Sequence, residues 1–253
     1  MKWPKPKQPD NTLRVSYYTD PLCCWSWAFE PHWWRLRFEF GRQLIWEYRM
    51  GGLISSWNSF SDPLNSVSNP SQMAPYWIQV REMARIPLNE RVWLVDPPHS
   101  SYPACLAFKA AEMQSRQAGE FLLWHLRRQF MVEGQNIGDW GVLRDIAGRV
   151  SDSGLLDYPR FMKDLRGNEA LELLRQDFQD ASFREINRFP SLVVRSGGRA
   201  ILLVGFRPYE ILIEAISAIA PDVKRLRQTS AEDAAQALES GDRSLSRLYA
   251  LRD

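Results

Sequence analysis

Apolar and polar positions along the first 50 residues fall into three successive patterns. Leu13 to Thr19 (LRVSYYT) supplies the β-branched and aromatic residues that favour a strand, and Asp20-Pro21 ends it. The spacing then turns helical, with Trp27, Phe29, Trp33, Trp34 and Phe38 spread over several turns to about Gly41. That helix is expected to begin near Cys24 or Trp25. Gln43 to Met50 (QLIWEYRM) alternates again and predicts a second strand, stopped by Gly51-Gly52.

From Leu53 to about Asn69 the chain is rich in Ser, Asn and Pro, which is loop chemistry. Helices are expected at Pro75 to Ala84, Pro103 to Ala118, Glu120 to Val132, Asp139 to Val150 (with Asp139 as cap), Tyr158 to Leu165 and Glu169 to Phe183. Pro190 to Arg195 and Ala200 to Val204, joined by Ser196-Gly197-Gly198, read as a hairpin, and Tyr209 to Ala220 as a closing helix. The order is β-α-β, a long helical insertion, then β-β-α. That is an α/β thioredoxin fold with a large inserted α-helical domain. The expected division is 12–52 with 186–220 as the thioredoxin-like domain, 53–185 as the inserted domain, and 221–253 as a helical or flexible tail that packs weakly. Residues 1–11, where prolines alternate with lysines, read as a solvated lead-in.

Composition narrows the function classes. The 253 residues carry 32 basic against 30 acidic side chains, a net charge of +2, so nothing draws the chain globally to nucleic acid or to a membrane. No run of about 18 apolar residues could span a bilayer, and the N-terminus lacks the apolar stretch of a secretory signal. Three cysteines, two of them adjacent, are not a disulfide framework. A cytosolic location follows as the expectation. The 11 tryptophans suit an apolar groove or a heavy core equally. His32, His99 and His125 are scattered, so no metal site is expected, and Arg127-Arg128 reads as a solvated face.

The candidate chemistry lies in Asp20-Pro21-Leu22-Cys23-Cys24-Trp25-Ser26-Trp27. Cys23 falls at a helix N-terminus, where unpaired N–H groups and the helix dipole favour a nucleophilic thiolate. The position one turn later, where a dithiol site carries its second sulfur, is Ser26. A serine there either hydrogen-bonds the thiolate or caps the first turn, and it cannot close a disulfide. Cys24 is a possible second thiol, although a vicinal disulfide with Cys23 is strained. Cys105 reads as core. Trp25 is placed at the rim of a groove and Trp27 in the core.

These residues resemble a known family. Asp20-Pro21-x-Cys23-x-Trp25-x-Trp27 with Phe29-Glu30-Pro31, Ser101-Tyr102-Pro103-Ala104-Cys105-Leu106-Ala107-Phe108-Lys109-Ala110-Ala111, and Phe189-Pro190-Ser191-Leu192-Val193-Val194 are similar, in order, to segments of the DsbA-like thioredoxin-fold superfamily, especially its FrnE-like dithiol-disulfide isomerase branch. The resemblance implies a cis Pro190 that presents the Phe189 backbone, with Trp25 beside it, to an extended peptide or to glutathione. Redox-active members carry a cysteine at the position of Ser26. A sister branch, the kappa-class glutathione transferases and 2-hydroxychromene-2-carboxylate isomerases, carries a serine at the position of Cys23. The leading expectation is therefore monothiol exchange through Cys23 with protein thiols or glutathione as co-substrate, with no permanently bound cofactor. Two rivals stand beside it: a kappa-type glutathione-dependent enzyme, and a non-catalytic adaptor that binds a client peptide beside Pro190.

Overall fold

In a computed structural model, residues 12–241 are described. Four strands, β1 (Leu13–Thr19), β2 (Leu44–Met50), β3 (Ser191–Ser196) and β4 (Arg199–Val204), form one sheet in the order β2-β1-β3-β4. β1 runs parallel to β2, from Leu13 opposite Leu44 to Thr19 opposite Met50; β3 is antiparallel to both β1 and β4. Alternation decides what each face holds. Val15, Tyr17, Trp46, Tyr48, Leu192 and Val194 pack on one face against Phe29, Trp33, Leu36 and Phe40 of helix α1 (Cys24–Phe40). Tyr209, Leu212 and Ile216, from the closing helix Tyr209–Ile219, complete that layer.

Between β2 and β3 come seven helices: α2 (Pro70–Ala84), α3 (Val92–Val95), α4 (Tyr102–Glu112), α5 (Arg116–Met131), α6 (Trp140–Asp152), α7 (Tyr158–Arg166) and α8 (Asn168–Phe183). Most of the tryptophan goes into cores. Trp77, Trp93 and Phe130 meet edge to face at 5.1–5.3 Å in the helical layer, and Trp33 and Trp46 do so beneath the sheet. Trp27 packs on the core but is only half-buried, with its indole N–H donated to Pro87 O, so it is not the core residue expected.

Two helix boundaries differ from the expectation for a local reason. α2 starts at Pro70, not Pro75, because the Asn69 side chain accepts the Gln72 N–H and Pro70 sits in the first turn, where no N–H is needed. The stretch expected as one helix from Pro103 to Ala118 breaks after Glu112, where Ser115 Oγ accepts the Ala118 N–H at 3.0 Å and opens α5.

Buried ion pairs tie the helical layer to the sheet. Arg127 of α5 is wholly buried, paired with Glu30 of α1 and bonded to Thr19 Oγ1 and the Asp20 carbonyl. The expectation of a solvated face holds for Arg128 and fails for Arg127. Arg37 pairs with Glu120 at 2.6 Å, and Asp177 of α8 takes Lys109 at 2.6 Å, Arg49 at 3.0 Å and the Met50 N–H at 2.9 Å.

Residues 221–241 are not loosely packed. The buried Glu39 carboxylate accepts from Arg35, Tyr209, Arg225 and the Thr229 N–H, and its carbonyl accepts from the Leu226 and Arg227 N–H groups. A capped helix, α10 (Ala231–Glu239), numbered after α9 (Tyr209–Ile219), then lies along α1. Residues 1–11 and 242–253, including the lead-in and the far end of the tail, lie outside the described residues.

Arg127→Ala leaves Glu30 as an uncompensated buried charge. It is expected to lower the unfolding free energy by about 3–5 kcal/mol in denaturant titration, whereas Arg128→Ala costs about 1 kcal/mol or less.

Candidate functional site

The site is built where β1 ends. Asp20 is wholly buried, and its carboxylate accepts the Leu22 N–H at 2.8 Å, the Leu53 N–H at 2.7 Å and the Cys105 S–H at 3.4 Å, while its carbonyl accepts the Cys23 N–H. One side chain thus ties the cysteine turn to the segment after β2 and to α4. Burial raises the Asp20 carboxyl pKa, against the pull of those hydrogen bonds.

Cys23 caps α1. Its Sγ accepts the Ser26 N–H at 3.4 Å and donates to the Phe189 carbonyl at 3.3 Å. The Phe189-Pro190 peptide bond is cis. Cys23 is buried in one apolar cluster with Tyr18, Ala181, Ile186, Phe189 and Val193, and the residue is 6% exposed. The Phe189 ring lies so close over Gly51 that a Cβ there would fall 1.9 Å from Cζ, so glycine is required for space. Tyr18 reaches across to α8 and donates its hydroxyl to Asp180.

Burial opposes the activation of the thiol expected from its place in the sequence. Burial raises its pKa above the ordinary thiol value; the Ser26 hydroxyl and N–H pull it down, the Asp20 charge pushes it up and Arg127 pulls it down. A donor contact to a backbone carbonyl is also the contact of a neutral S–H, since a thiolate at that distance would meet the negative end of the C=O dipole. The cap of the first turn is the cysteine sulfur itself, not Ser26. Ser26 Oγ is buried, pointed near the sulfur, and makes no formed hydrogen bond.

The other thiols face elsewhere. Cys24 packs into the core of the helical layer and Cys105 into the core beneath the sheet, and both are raised well above the ordinary thiol value, chiefly by burial. All three cysteines are free. Trp25 is half-buried, donates its indole N–H to Tyr76 Oη of α2 at 2.7 Å, and leans on Phe206 at 5.3 Å. His32 joins that aromatic group against Phe206. Among the described residues, no group of three or more His, Cys, Asp or Glu is placed to hold a metal ion, and no helix is long and apolar enough to cross a membrane.

Cys23, Ser26, Phe189 and Pro190 therefore meet around one sulfur, with Trp25 at the side and Cys24 turned away. Tyr76 and Phe206 were missed by sequence reasoning, as were the roles of Asp20, read only as part of the turn motif, and Gly51, read only as a strand stop. Two of them had a local signal: an aspartate just before Pro21, and a Gly-Gly pair ending a strand that must admit a ring.

Comparison with known proteins agrees with this geometry. The thioredoxin family model matches residues 17–214. The ClpXP adapter protein SpxH of Halalkalibacterium halodurans is 30% identical over 207 residues, 81% of this chain and 66% of that protein, so the chain spans just under two thirds of its relative's length. A Nitrosomonas europaea structure, proposed to be a protein disulfide isomerase, superposes with a TM-score of 0.68 at 24% identity, covering 82% of this chain and 97% of that one. A DsbA oxidoreductase candidate from Streptomyces coelicolor superposes at 0.63 and 15% identity over 87% of this chain and 94% of that one. A DsbA-like fold, a cis proline facing a capping cysteine and a family match across most of the chain lead to one assignment: the protein belongs to the thioredoxin family.

Proposed function

We propose that this chain is a client-binding adaptor on a thioredoxin scaffold, of the kind its relative named as a ClpXP adapter represents, and that it is not a dithiol oxidoreductase. The observation that carries the reading is the setting of Cys23: 6% exposed, its S–H donated to the Phe189 carbonyl, its pKa raised by burial, and without a second sulfur one turn on. Disulfide exchange needs an accessible thiolate, and dithiol exchange needs a resolving thiol as well. The scaffold still offers a protein surface. Three free thiols fit a reducing compartment, so the reading keeps the protein in the cytosol.

A second reading rests on a different feature of the same site. The Ser26 N–H already points at the sulfur and Ser26 Oγ has no other partner, so two donors await a thiolate if Phe189 moves aside. Cys23 would then attack oxidised glutathione, forming a mixed disulfide and releasing one glutathione thiolate, and a second glutathione would free it.

Two measurements separate these readings. A client captured and purified with the Cys23→Ser protein is expected to be degraded by ClpXP equally fast with the Cys23→Ser and wild-type chains. Loss of that effect in Cys23→Ser, together with a glutathione mass added to wild-type Cys23, would overturn the adaptor reading in favour of thiol exchange. Iodoacetamide labelling of Cys23 is expected to be slower than that of a free thiol at pH 7.5 and to keep climbing above pH 9, because a raised pKa leaves less thiolate at neutral pH. Phe189→Ala is expected to speed it about tenfold while Cys24 and Cys105 stay slow, as peptide mass spectrometry would show.

A further inference from the structure

The sheet order leaves β4 at an edge, and among the described residues no strand pairs with its outer side. The unpaired N–H and C=O groups of such an edge are a template for another strand, which proteins commonly blunt with proline, a bulge or an inward charge. β4 has none of these within its apolar run. Its core, Ala200 to Val204 (AILLV), keeps an unbroken register with β3 from Ser191 opposite Val204 to Ser196 opposite Arg199. Ile201 and Leu203 pack on the face that α9 covers. Leu202, opposite Val193, points to the other face and remains 43% exposed.

Charge then selects the occupant. From Ile186 to Tyr209 the chain has no acidic residue and has arginines at 188, 195, 199 and 207. Arg188, Arg199 and Arg207 are exposed, and Arg195 is half-buried with a hydrogen bond to Ser16 Oγ. A second copy pairing edge to edge would set arginines against arginines. Residues 1–11 carry Lys2, Lys5 and Lys7 against Asp10, with prolines at 4, 6 and 9, so they bring a net charge of the same sign and lack an N–H at three positions. An extended segment with acidic ends satisfies both the backbone and the arginines.

We propose that the free edge of β4 takes an extended, acidic-flanked segment of a protein client as a fifth strand of the sheet. The main-chain ladder would supply affinity, an apolar side chain on Leu202 would cover the open face, and Arg199 and Arg207 would set the sign of the flanks. This inference rests on the adaptor reading and locates its docking surface away from Cys23.

The test uses the full chain and a fluorescent nine-residue peptide with alternating valine and threonine in the middle and two glutamates at each end. Fluorescence anisotropy at low salt is expected to show binding to the wild type. Leu202→Lys and the double variant Arg199→Glu/Arg207→Glu, each checked for an unchanged melting curve, are expected to weaken it at least about tenfold. A lysine-ended version of the peptide is expected not to bind. Undiminished binding by the variants, equal binding of the lysine-ended peptide, or a wild-type dimer that Leu202→Lys converts to monomer would each overturn the proposal. ClpXP degradation of the captured client keeps the two claims apart. If wild type and Leu202→Lys accelerate it equally, the edge proposal fails and the adaptor reading survives; if wild type does not accelerate it, the adaptor reading itself fails.

Discussion

A guanidinium without access to water has to find its compensation inside the protein, and where Arg127 finds it fixes the arrangement of the layers. It comes from α5, pairs with Glu30 of α1 and bonds to Thr19 Oγ1 and the Asp20 carbonyl at the end of β1. Desolvating such a charge costs several kcal/mol, which only well-formed partners offset, so the three elements cannot shift independently. The next residue along β1 repeats the constraint with opposite sign. Asp20, equally buried, holds the cysteine turn to Leu53 and to Cys105 of α4. Cys23 therefore sits on a turn pinned from below by a cation and an anion, whose influences on its proton oppose each other.

Burial is then the largest influence on the sulfur's proton. Placement at a helix N-terminus is worth roughly 0.3–1 kcal/mol, less than one pKa unit at about 1.4 kcal/mol per unit. Full burial moves an ionisable group by as much as about 3–5 units toward its neutral form. The helix start is the feature that suggests a thiolate, and burial acts against it.

The parts of this structure that were legible in the sequence are those whose cause is local. β-Branched and aromatic residues in LRVSYYT, alternation in QLIWEYRM and the Ser196-Gly197-Gly198 turn gave the strands nearly to the residue, and the meeting of Cys23, Ser26 and the Phe189-Pro190 bond followed once the family pattern placed β3 beside the turn. What was not legible depends on partners far along the chain. Arg127 looks like half of a surface pair until Glu30, 97 residues earlier, is seen beneath it. The tail around residues 225–241 looks polar and loose until Glu39 is found to gather it. The Ser115 break and the Asn69 start are local, but a serine or asparagine announces a cap only when the chain on one side leaves the helix, and helical propensity alone does not say that it will.

The role of Cys23 as a cap bears on how its presence should be read. Its sulfur accepts the Ser26 N–H and donates to Phe189 O, and the residue is buried in one apolar cluster with Tyr18, Ala181, Ile186 and Val193, so these contacts support the fold. Serine is the stronger N-cap by general preference, and capping alone would select it. A small apolar atom buried among side chains selects the reverse, because cysteine behaves as a compact hydrophobe and a hydroxyl there must keep both of its hydrogen bonds. Packing together with capping is sufficient to hold a cysteine at this position.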